Sequence, residues 1–476
     1  MNSHILKKAK MGCAAAQFDL GVMFEEGRGV TQSYEKAMEW YMKSAEQGDA
    51  DAQCNLGSMF YNGRGVQRSY KRAAEWYMKS AEQGDFDAQF TFATMFYDGR
   101  GVERSYEKAA EWFRKAADQG HAEAQNRLGS MFYYGQGVKQ SYEEATKWYA
   151  KAARQDHADA QNNMGFMFQK GRGVDQSYEK AAEWFKLAAG QGHVDAQNNL
   201  GLLFKKGRGV DQSYEKAAEW FKKAADHGHV DAQNNMGYIF SKGYGVEQSD
   251  AKAVELFMKA AEQGHAKAQN NLADMFYYGK GVEQSYIKAV EWYTKAAEQG
   301  DAEAQRNLGN MFENGQDVEQ SNVKAAEWFM KAAEQGDASA QGSLGYMFSH
   351  GRGVEQSDVK ALEWFRKAEA GGNVAAKTHI AILENKKKKR EEAAAAKDKK
   401  EKKVRKAMVD NEESGGGKRR KIDGVAAAHD VFFQCGFAAM GALGLNANVI
   451  SRIRGDAEAN ESALNLLCKL SRSGSK

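Results

Sequence analysis

Tryptophan recurs at a fixed interval along most of this chain, and that interval limits the possible architecture more than any other feature. All nine tryptophans lie on one 36-residue register, and the single empty position of the register holds Leu256. They are Trp40, Trp76, Trp112, Trp148, Trp184, Trp220, Trp292, Trp328 and Trp364. An unbroken period of this length, without insertion or deletion, is typical of an array of identical structural units. Such arrays present extended binding surfaces, so the period favours a binding function over catalysis.

One unit, residues 49–84, predicts two helices joined by a glycine turn. Apolar residues recur at helical spacing over 50–62, which predicts the first helix. A Gly-Arg-Gly-Val stretch then breaks the helix, and Ser69 stands where an N-cap belongs, ahead of a second helix over 70–83. Trp76 falls among the apolar positions of that second helix, so we expect it in the core. A unit of this kind cannot bury its apolar faces alone and must stack on its neighbours.

Stacking of these units predicts an all-α fold over residues 1–384, an α/α superhelical solenoid of about ten 36-residue helix-turn-helix repeats. Residues 4–17 align with the second half of a unit. Residues 374–384 align with a first helix but are more polar, as expected for a terminal cap. We expect residues 385–424 to be a basic low-complexity linker and residues 425–476 a small helical C-terminal module.

The repeated pattern identifies a family resemblance. The chain repeats A-Q-x-x-L-G-x-M-F-x-x-G-x-G-V, then S-Y-x-K-A-x-E-W-[FY]-x-K-A-A-E-Q-G. This closely resembles the Sel-one-like repeat (SLR), a relative of the tetratricopeptide repeat, over about residues 4–384. The resemblance implies a right-handed α-superhelix that works as a non-enzymatic adaptor or scaffold for protein complexes. Some members of the family serve in endoplasmic-reticulum quality control, and others in bacterial secretion or signalling. The chain departs from the family in lacking proline after Gly-Val, and from its secretory relatives in lacking a signal-peptide pattern and disulfide-linked repeats.

A partner groove is expected on the first helices, which line the concave face in tetratricopeptide-like stacks. The positions equivalent to 54, 58, 61 and 62 point away from the apolar stripe of the first helix. Asparagine recurs at the first of these positions, and its amide can pair with an extended peptide backbone; the residues are Asn126, Asn162, Asn198, Asn234 and Asn270. The last two positions carry Lys170, Lys205, Lys206, Lys242, Tyr133, Tyr134, Tyr277 and Tyr278. The lysines predict an acidic or C-terminal peptide as ligand, and the alternative is an ordinary solvated surface.

Catalytic, metal and cofactor sites are not expected. Five histidines form another 36-residue ladder, consisting of His121, His157, His193, His229 and His265. Successive units lie about 10 Å apart, whereas zinc ligands converge at about 2 Å. Aspartate takes the same position in other units, so a turn or helix-cap role is favoured. The recurring serines are N-caps, and the G-x-G turns lack the strand–loop–helix context of a nucleotide site. We therefore expect no enzyme activity and no cofactor.

Positive charge is concentrated after the repeats. Residues 386–421 hold 16 Lys and Arg against 7 Asp and Glu, a balance of +9 in a chain of net charge +3, which leaves the remainder at −6. Lys418, Arg419, Arg420 and Lys421 match a short nuclear-import pattern, which predicts a nuclear or cytoplasmic protein. A plain solvated linker and a nucleic-acid contact are the alternatives for this tail. The four cysteines lack metal-site spacing and are expected to be reduced thiols.

An apolar stretch near the C-terminus leaves a membrane anchor open. Residues 431–445 contain no ionisable group other than Cys435 but number only 15, whereas a spanning helix needs about 20. We therefore favour a pair of helices, 425–443 and 457–470, that docks on the solenoid or on a partner. The leading interpretation is a monomeric adaptor that binds proteins through its groove. A membrane-associated quality-control adaptor and a nucleic-acid-associated protein remain the alternatives.

Overall fold

The computed structural model of the protein describes residues 3–413. This part of the chain folds into 22 helices and contains no strand, which confirms the all-α solenoid of repeats. It opens with α1 (Ser3–Lys10). The first helices of the units are α2 (Ala14–Glu26), α4 (Ala50–Asn62), α6 (Phe86–Asp98), α8 (Ala122–Tyr134), α10 (Ala158–Lys170), α12 (Val194–Lys206), α14 (Val230–Lys242), α16 (Ala266–Tyr278), α18 (Ala302–Asn314) and α20 (Ala338–His350). The second helices are α3 (Tyr34–Ala45), α5 (Tyr70–Glu82), α7 (Tyr106–Asp118), α9 (Tyr142–Ala153), α11 (Tyr178–Gly190), α13 (Tyr214–Asp226), α15 (Asp250–Glu262), α17 (Tyr286–Glu298), α19 (Asn322–Glu334) and α21 (Asp358–Ala370), and α22 (Ala375–Glu413) follows them.

Local signals in the sequence set the helix ends. Each second helix begins after a serine whose side chain accepts a backbone N–H, as Ser69 does from Arg72 at 3.4 Å. The first helices from α4 to α20 begin after an aspartate or histidine with the same role, as Asp85 does for Ala88 at 2.6 Å. Each first helix ends at a glycine with a left-handed backbone, such as Gly63 with φ of 71°. These contacts confirm the predicted capping roles of serine and of the histidine ladder.

The second glycine of each G-x-G turn presses against the preceding unit. A Cβ atom on Gly65 would lie 2.5 Å from the carbonyl carbon of Tyr34, closer than real Cβ contacts occur. The backbone there also has a positive φ of 66°, which glycine adopts without strain. Asp317 occupies this register position in one unit and takes a φ of 50°. The turn that breaks the pattern in the sequence is therefore a strained version of the same turn.

The core forms between the two helices of a unit and between neighbouring units. In the unit of α4 and α5 the fully buried side chains include Leu56, Met59 and Phe60, with Tyr77 facing them. Gly57 lets the Tyr77 ring approach α4, because a Cβ atom at that glycine would lie 2.8 Å from the ring. Burying these apolar faces is the main stabilisation of the stack.

The prediction that the tryptophans belong to the core is wrong for most of them. Only Trp148 is buried, with 5% of its surface exposed, and the other eight are half-buried at the margin of the core. A lysine one turn later usually covers the ring, as Lys79 Nζ does at 4.1 Å from the ring centroid of Trp76. The spacing of apolar residues identified the correct side of the second helix, but the centre of that side belongs to the tyrosine or phenylalanine that follows each tryptophan.

A glutamine recurs in every first helix, and in most units it ties three helices together. Gln53 donates from Nε2 to the carbonyl oxygen of Ala45 in the preceding unit, at 3.1 Å. Its Oε1 accepts from Gln83 Nε2, after the second helix of the same unit, at 2.8 Å. We name this second hydrogen bond the glutamine rung. It recurs in eight units at 2.6–2.9 Å.

Two units lack the glutamine rung. His227 and Gly371 stand where the eight other units have the donating glutamine. The corresponding acceptors, Gln197 Oε1 and Gln341 Oε1, are buried and have no hydrogen-bond partner among the described residues. The link from Gln197 to the preceding unit is also long, at 3.4 Å to the carbonyl oxygen of Ala189. The joint at Gln197 is therefore one of the weakest in the stack.

The chain divides into two units, Met1–Leu383 and Glu384–Lys476. The first is the solenoid. In the second, α22 continues up to Glu413 as a charged helix, which is almost wholly exposed over residues 384–407. The proposed import cluster 418–421 and the predicted module 425–476 lie outside the described residues, so both stay predictions. Within residues 3–413, no helix is both long enough and apolar enough to cross a membrane.

Candidate partner-binding surface

The surface on which the sequence predicts a groove is formed by the first helices. We name it the A-helix face and define it by Cys54, Asn55, Ser58, Tyr61 and Asn62 together with their counterparts every 36 residues. The side chains at this face differ most from unit to unit. The properties of each stretch of the face therefore depend on which units form it.

The predicted asparagine ladder links the units to one another. Asn126, Asn198 and Asn270 are buried, and the remaining two are half-buried. The Oδ1 atom of each accepts a hydrogen bond from an asparagine of the next unit, as Asn126 does from Asn163 Nδ2 at 3.0 Å. The five bonds span 2.9–3.4 Å, and their donors are Asn163, Asn199, Asn235, Asn271 and Asn307. Contact of the ladder with a partner stays a prediction, and the donor ladder, visible as a second recurring asparagine, was missed.

Two of the four predicted lysines meet in one cavity. Lys205 and Lys242 line a cavity of about 550 Å³, together with Asn234 and Tyr278. The other two lysines, Lys170 and Lys206, are exposed at the C-terminal ends of α10 and α12. Within residues 3–413, none of these four lysines has an ion-pair partner. Burial, and then the neighbouring charge of Lys206, lowers the pKa of the Lys205 ammonium group.

An apolar floor lies beneath these lysines and was not predicted. The position of Ser58 is taken by Phe166, Leu202 and Tyr238 in three successive units, all half-buried. Lys170 Nζ lies 5.7 Å from the ring centroid of Phe166, and Lys205 Nζ lies 4.6 Å from that of Tyr238. The change from polar to apolar residues at one register position was visible in the sequence. It marks the units in which the face offers both charge and apolar area.

The predicted tyrosine pairs have two different roles. Tyr133 and Tyr277 are hydrogen-bonded to the turn of the next unit, through Arg172 and Gln316 respectively. Their neighbours Tyr134 and Tyr278 are 67% and 62% exposed. The two rings of each pair meet edge to face at 4.8 Å between centroids. The exposed member of each pair is therefore held in place by a ring that the stack itself fixes.

Acidic groups of the following units line the same cavity as Lys205 and Lys242, namely Asp274 and Glu303. Asp274 accepts a hydrogen bond from the Tyr293 hydroxyl, and burial raises the pKa of this carboxyl group. Glu303 pairs with Lys267 and with Arg306, the latter at 3.6 Å. Glu303 is thus already paired with cations of its own region, and neither it nor Asp274 forms an ion pair with Lys205 or Lys242 within the described residues.

The histidine ladder brings one histidine close to two carboxylates. His157 Nε2 lies 2.7 Å from a Glu123 oxygen, and Asp159 completes a group whose ligand atoms lie within 4.8 Å of one another. His157 Nδ1 accepts the backbone N–H of Ala160 at 3.3 Å, so Nε2 carries the proton. Binding a metal through Nε2 would need the opposite tautomer and would remove this helix cap, so the donor set does not fit a metal. The hydrogen bond from His157 is the main cause that lowers the pKa of Glu123 to about 2.

Comparison with known proteins identifies the repeats. The family model described as "Sel1 repeat" matches ten segments, residues 14–49, 50–85, 87–121, 122–157, 158–193, 194–229, 230–265, 266–301, 302–337 and 338–373. The chain is 32% identical to a protective antigen of uropathogenic Escherichia coli strains that displays an SLR fold. That match covers 88% of this chain and 99% of the antigen, with a TM-score of 0.62. A Sel1 repeat protein from Oxalobacter formigenes is 34% identical over 65% of this chain and 89% of its own, with a TM-score of 0.53. A search of curated proteins gave no match.

Proposed function

Since the chain belongs to the Sel1 repeat family, we propose that it is a non-enzymatic adaptor whose A-helix face binds an acidic, partly apolar segment of a partner protein. Sel1 repeat proteins are generally protein-interaction scaffolds. The finer part of the proposal, the place and chemistry of binding, is supported by features of this chain. The binding region we propose is the lysine patch, made of Lys170, Lys205, Lys206 and Lys242.

The absence of counter-ions at the lysine patch is the observation that carries this proposal. The four lysines have no acidic partner within the described residues, whereas the next units pair Lys267 and Arg306 with Glu303. Lys205 is half-buried, and burying a charge without a partner is unfavourable. A carboxylate from a partner would relieve that cost. The apolar floor of Phe166, Leu202 and Tyr238 would receive the apolar side chains of the same segment.

Fluorescence anisotropy tests the proposal with a short labelled peptide in which glutamates alternate with leucine and phenylalanine. The full-length protein is expected to bind this probe, with affinity that falls as salt rises because exposed charges are screened. Changing Lys170, Lys205 and Lys206 to Glu should abolish binding and leave the helical circular-dichroism signal intact. A single change is expected to have a small effect, because one exposed charge contact contributes only about 0.2–1 kcal/mol.

A matched variant controls for net charge. Lys139, Lys186 and Lys222 are exposed, lie away from the A-helix face, and form no ion pair among the described residues. Changing these three to Glu alters the net charge equally and should leave the affinity within about twofold of wild type. Equal loss of binding in both triple variants would show that net charge alone explains the loss, and it would refute the lysine patch as the site. Undiminished binding by the first variant would refute it as well.

We also propose nuclear import through Lys418, Arg419, Arg420 and Lys421, because these residues form a short basic cluster within the basic tail. A fluorescent fusion of the full chain is expected to concentrate in the nucleus. Changing the four residues to Ala should remove that enrichment. A wild-type fusion spread evenly through the cell would contradict the proposal.

A further inference from the structure

A hollow opens at the C-terminal end of the A-helix face, where the asparagine ladder stops. The last rung of that ladder joins Asn307 to Asn270. Two units further on, Gly342 stands at the acceptor position and His379 of α22 at the donor position, so no such bond can form. Gly342 lies instead against the Asn373 side chain, and both residues line a cavity of about 390 Å³. That volume falls within the range of small-ligand pockets, about 300–1,000 Å³.

The lining of this hollow combines a carboxylate with aromatic rings and hydroxyl groups. Glu313 stands at its margin, half-buried, and its carboxylate has no hydrogen-bond or ion-pair partner within residues 3–413. Tyr346 and His379 form aromatic walls, and the His379 ring stacks on Phe365 with centroids 4.8 Å apart and planes at 7°. Ser339 and Ser343 add hydroxyl groups to the lining.

We propose that this hollow, named here the Glu313 pocket, binds an arginine side chain of the partner protein. A guanidinium group is planar, always charged, and suited both to stacking on aromatic faces and to paired hydrogen bonds with a carboxylate. The wall already carries such a contact, since the Arg352 guanidinium carbon lies 5.2 Å from the ring centroid of Tyr346. The unpaired Glu313 carboxylate supplies the opposite charge.

The inference rests on the proposed function in one respect, because it places the arginine on the segment that occupies the lysine patch. Lys242 and Glu313 lie on first helices two units apart, α14 and α18. With about 10 Å per unit, the separation is on the order of 20 Å. An extended chain covers roughly 3.3 Å per residue, so about six residues separate the acidic part of the segment from its arginine.

The pocket is tested on the full-length protein with two small probes, the N-acetyl methylamides of arginine and of citrulline. Citrulline has nearly the shape of arginine without its charge. Titrations followed by ligand-observed NMR are expected to give a dissociation constant on the order of millimolar for the arginine probe. The citrulline probe should bind about fivefold more weakly. Glu313→Gln should reduce the affinity for the arginine probe to that of the citrulline probe.

A control variant and a longer probe separate the two proposals. Glu327→Gln removes an exposed carboxylate from α19 in the same repeat and should bind the arginine probe as wild type does. Equal affinity of Glu313→Gln and wild type, or no saturable binding of the arginine probe, would overturn the pocket even if acidic peptides still bind the lysine patch. Conversely, arginine binding that depends on Glu313, without binding of the acidic peptide, would refute the lysine-patch proposal and leave the Glu313 pocket standing. An acidic peptide carrying arginine at the derived spacing should bind wild type about fivefold more tightly than its citrulline version, and equal affinity would refute the shared segment.

Discussion

Restoring the missing glutamine rung by His227→Gln is expected to stabilise the solenoid. Gln197 Oε1 is buried and has no hydrogen-bond partner within residues 3–413, whereas eight other units supply a glutamine donor at 2.6–2.9 Å. His227 ends α13 with φ of −89° and ψ of 11°, close to the −82° and −3° of Gln83. A glutamine at 227 can therefore adopt the conformation that its counterparts already have.

The expected gain is about 1 kcal/mol in the free energy of unfolding. A hydrogen bond contributes about 0.5–1.5 kcal/mol net, and a buried polar atom without a partner costs about 1–3 kcal/mol. We take the lower of these two ranges because position 227 is exposed. A glutamine side chain held there in one conformation loses entropy, which offsets part of the gain. Since repeat arrays depart from two-state unfolding, the quantity to compare is the midpoint of urea denaturation of the full chain.

His227→Ala is the matched control, because it removes the imidazole without supplying a donor. Its midpoint should stay within about 0.5 kcal/mol of wild type. Amide hydrogen exchange should locate the gain of His227→Gln in α12 and α13. Identical midpoints for the glutamine and alanine variants would show that the orphaned acceptor costs nothing, and the reasoning from the rung would fail.

Four further predictions, which use six substitutions, test the account of the stack through the same denaturation midpoint. Asp317→Gly is expected to stabilise by about 1 kcal/mol, because a left-handed backbone costs an ordinary residue about 1–2 kcal/mol, and a lowered midpoint would contradict this. Trp148→Ala should cost about 3–5 kcal/mol, and the same change at the half-buried Trp184 should cost less than half of that; equal losses would refute the burial argument. Tyr293→Phe should cost about 1–3 kcal/mol by leaving the half-buried Asp274 carboxyl without its donor. Adding Asp274→Leu should recover most of that loss, since Leu202 holds the equivalent position in another unit and packs against the core cluster that contains Phe221. Glu123→Gln should remove stability that the wild type has above about pH 4.5, the usual pKa of Glu, and loses as the pH falls towards 2. The midpoints of variant and wild type should therefore converge in acid, and a constant difference at every pH would contradict this.

Much of the fold could be predicted because its determinants are local. The first helix predicted over 50–62 is Ala50–Asn62, and the second, predicted over 70–83, is Tyr70–Glu82. Caps, glycine turns and apolar spacing act within a few residues, so they can be recognised in the sequence. Because the same pattern recurs in ten units, the helix bounds inferred from one unit can be checked against the others.

The binding surface was harder to predict because it depends on contacts between units. A helical wheel places Asn126 away from the core of its own unit, but the next unit covers it and takes its Oδ1. Because sequence patterns do not show contacts between units, the prediction that the tryptophans are buried was also wrong for most of them. The Glu313 pocket brings together residues that are far apart in the sequence, from Glu313 on α18 to His379 on α22. No local motif signals such a pocket.

The uneven spacing of glutamine rungs has a mechanical consequence. Units stacked in a row carry a pulling force in series, so the array extends first at its weakest joint. The bond to the preceding unit is stretched to 3.4 Å at Gln197, where the rung is also absent, and within the described residues Gln233 makes no such bond. Lys170 and Lys205 stand on the two sides of the first joint, and Lys206 and Lys242 on the two sides of the second. Tension along the chain would therefore separate these lysines before it disturbs the other units, and a segment bound across them would act as a strap that stiffens the solenoid at this place.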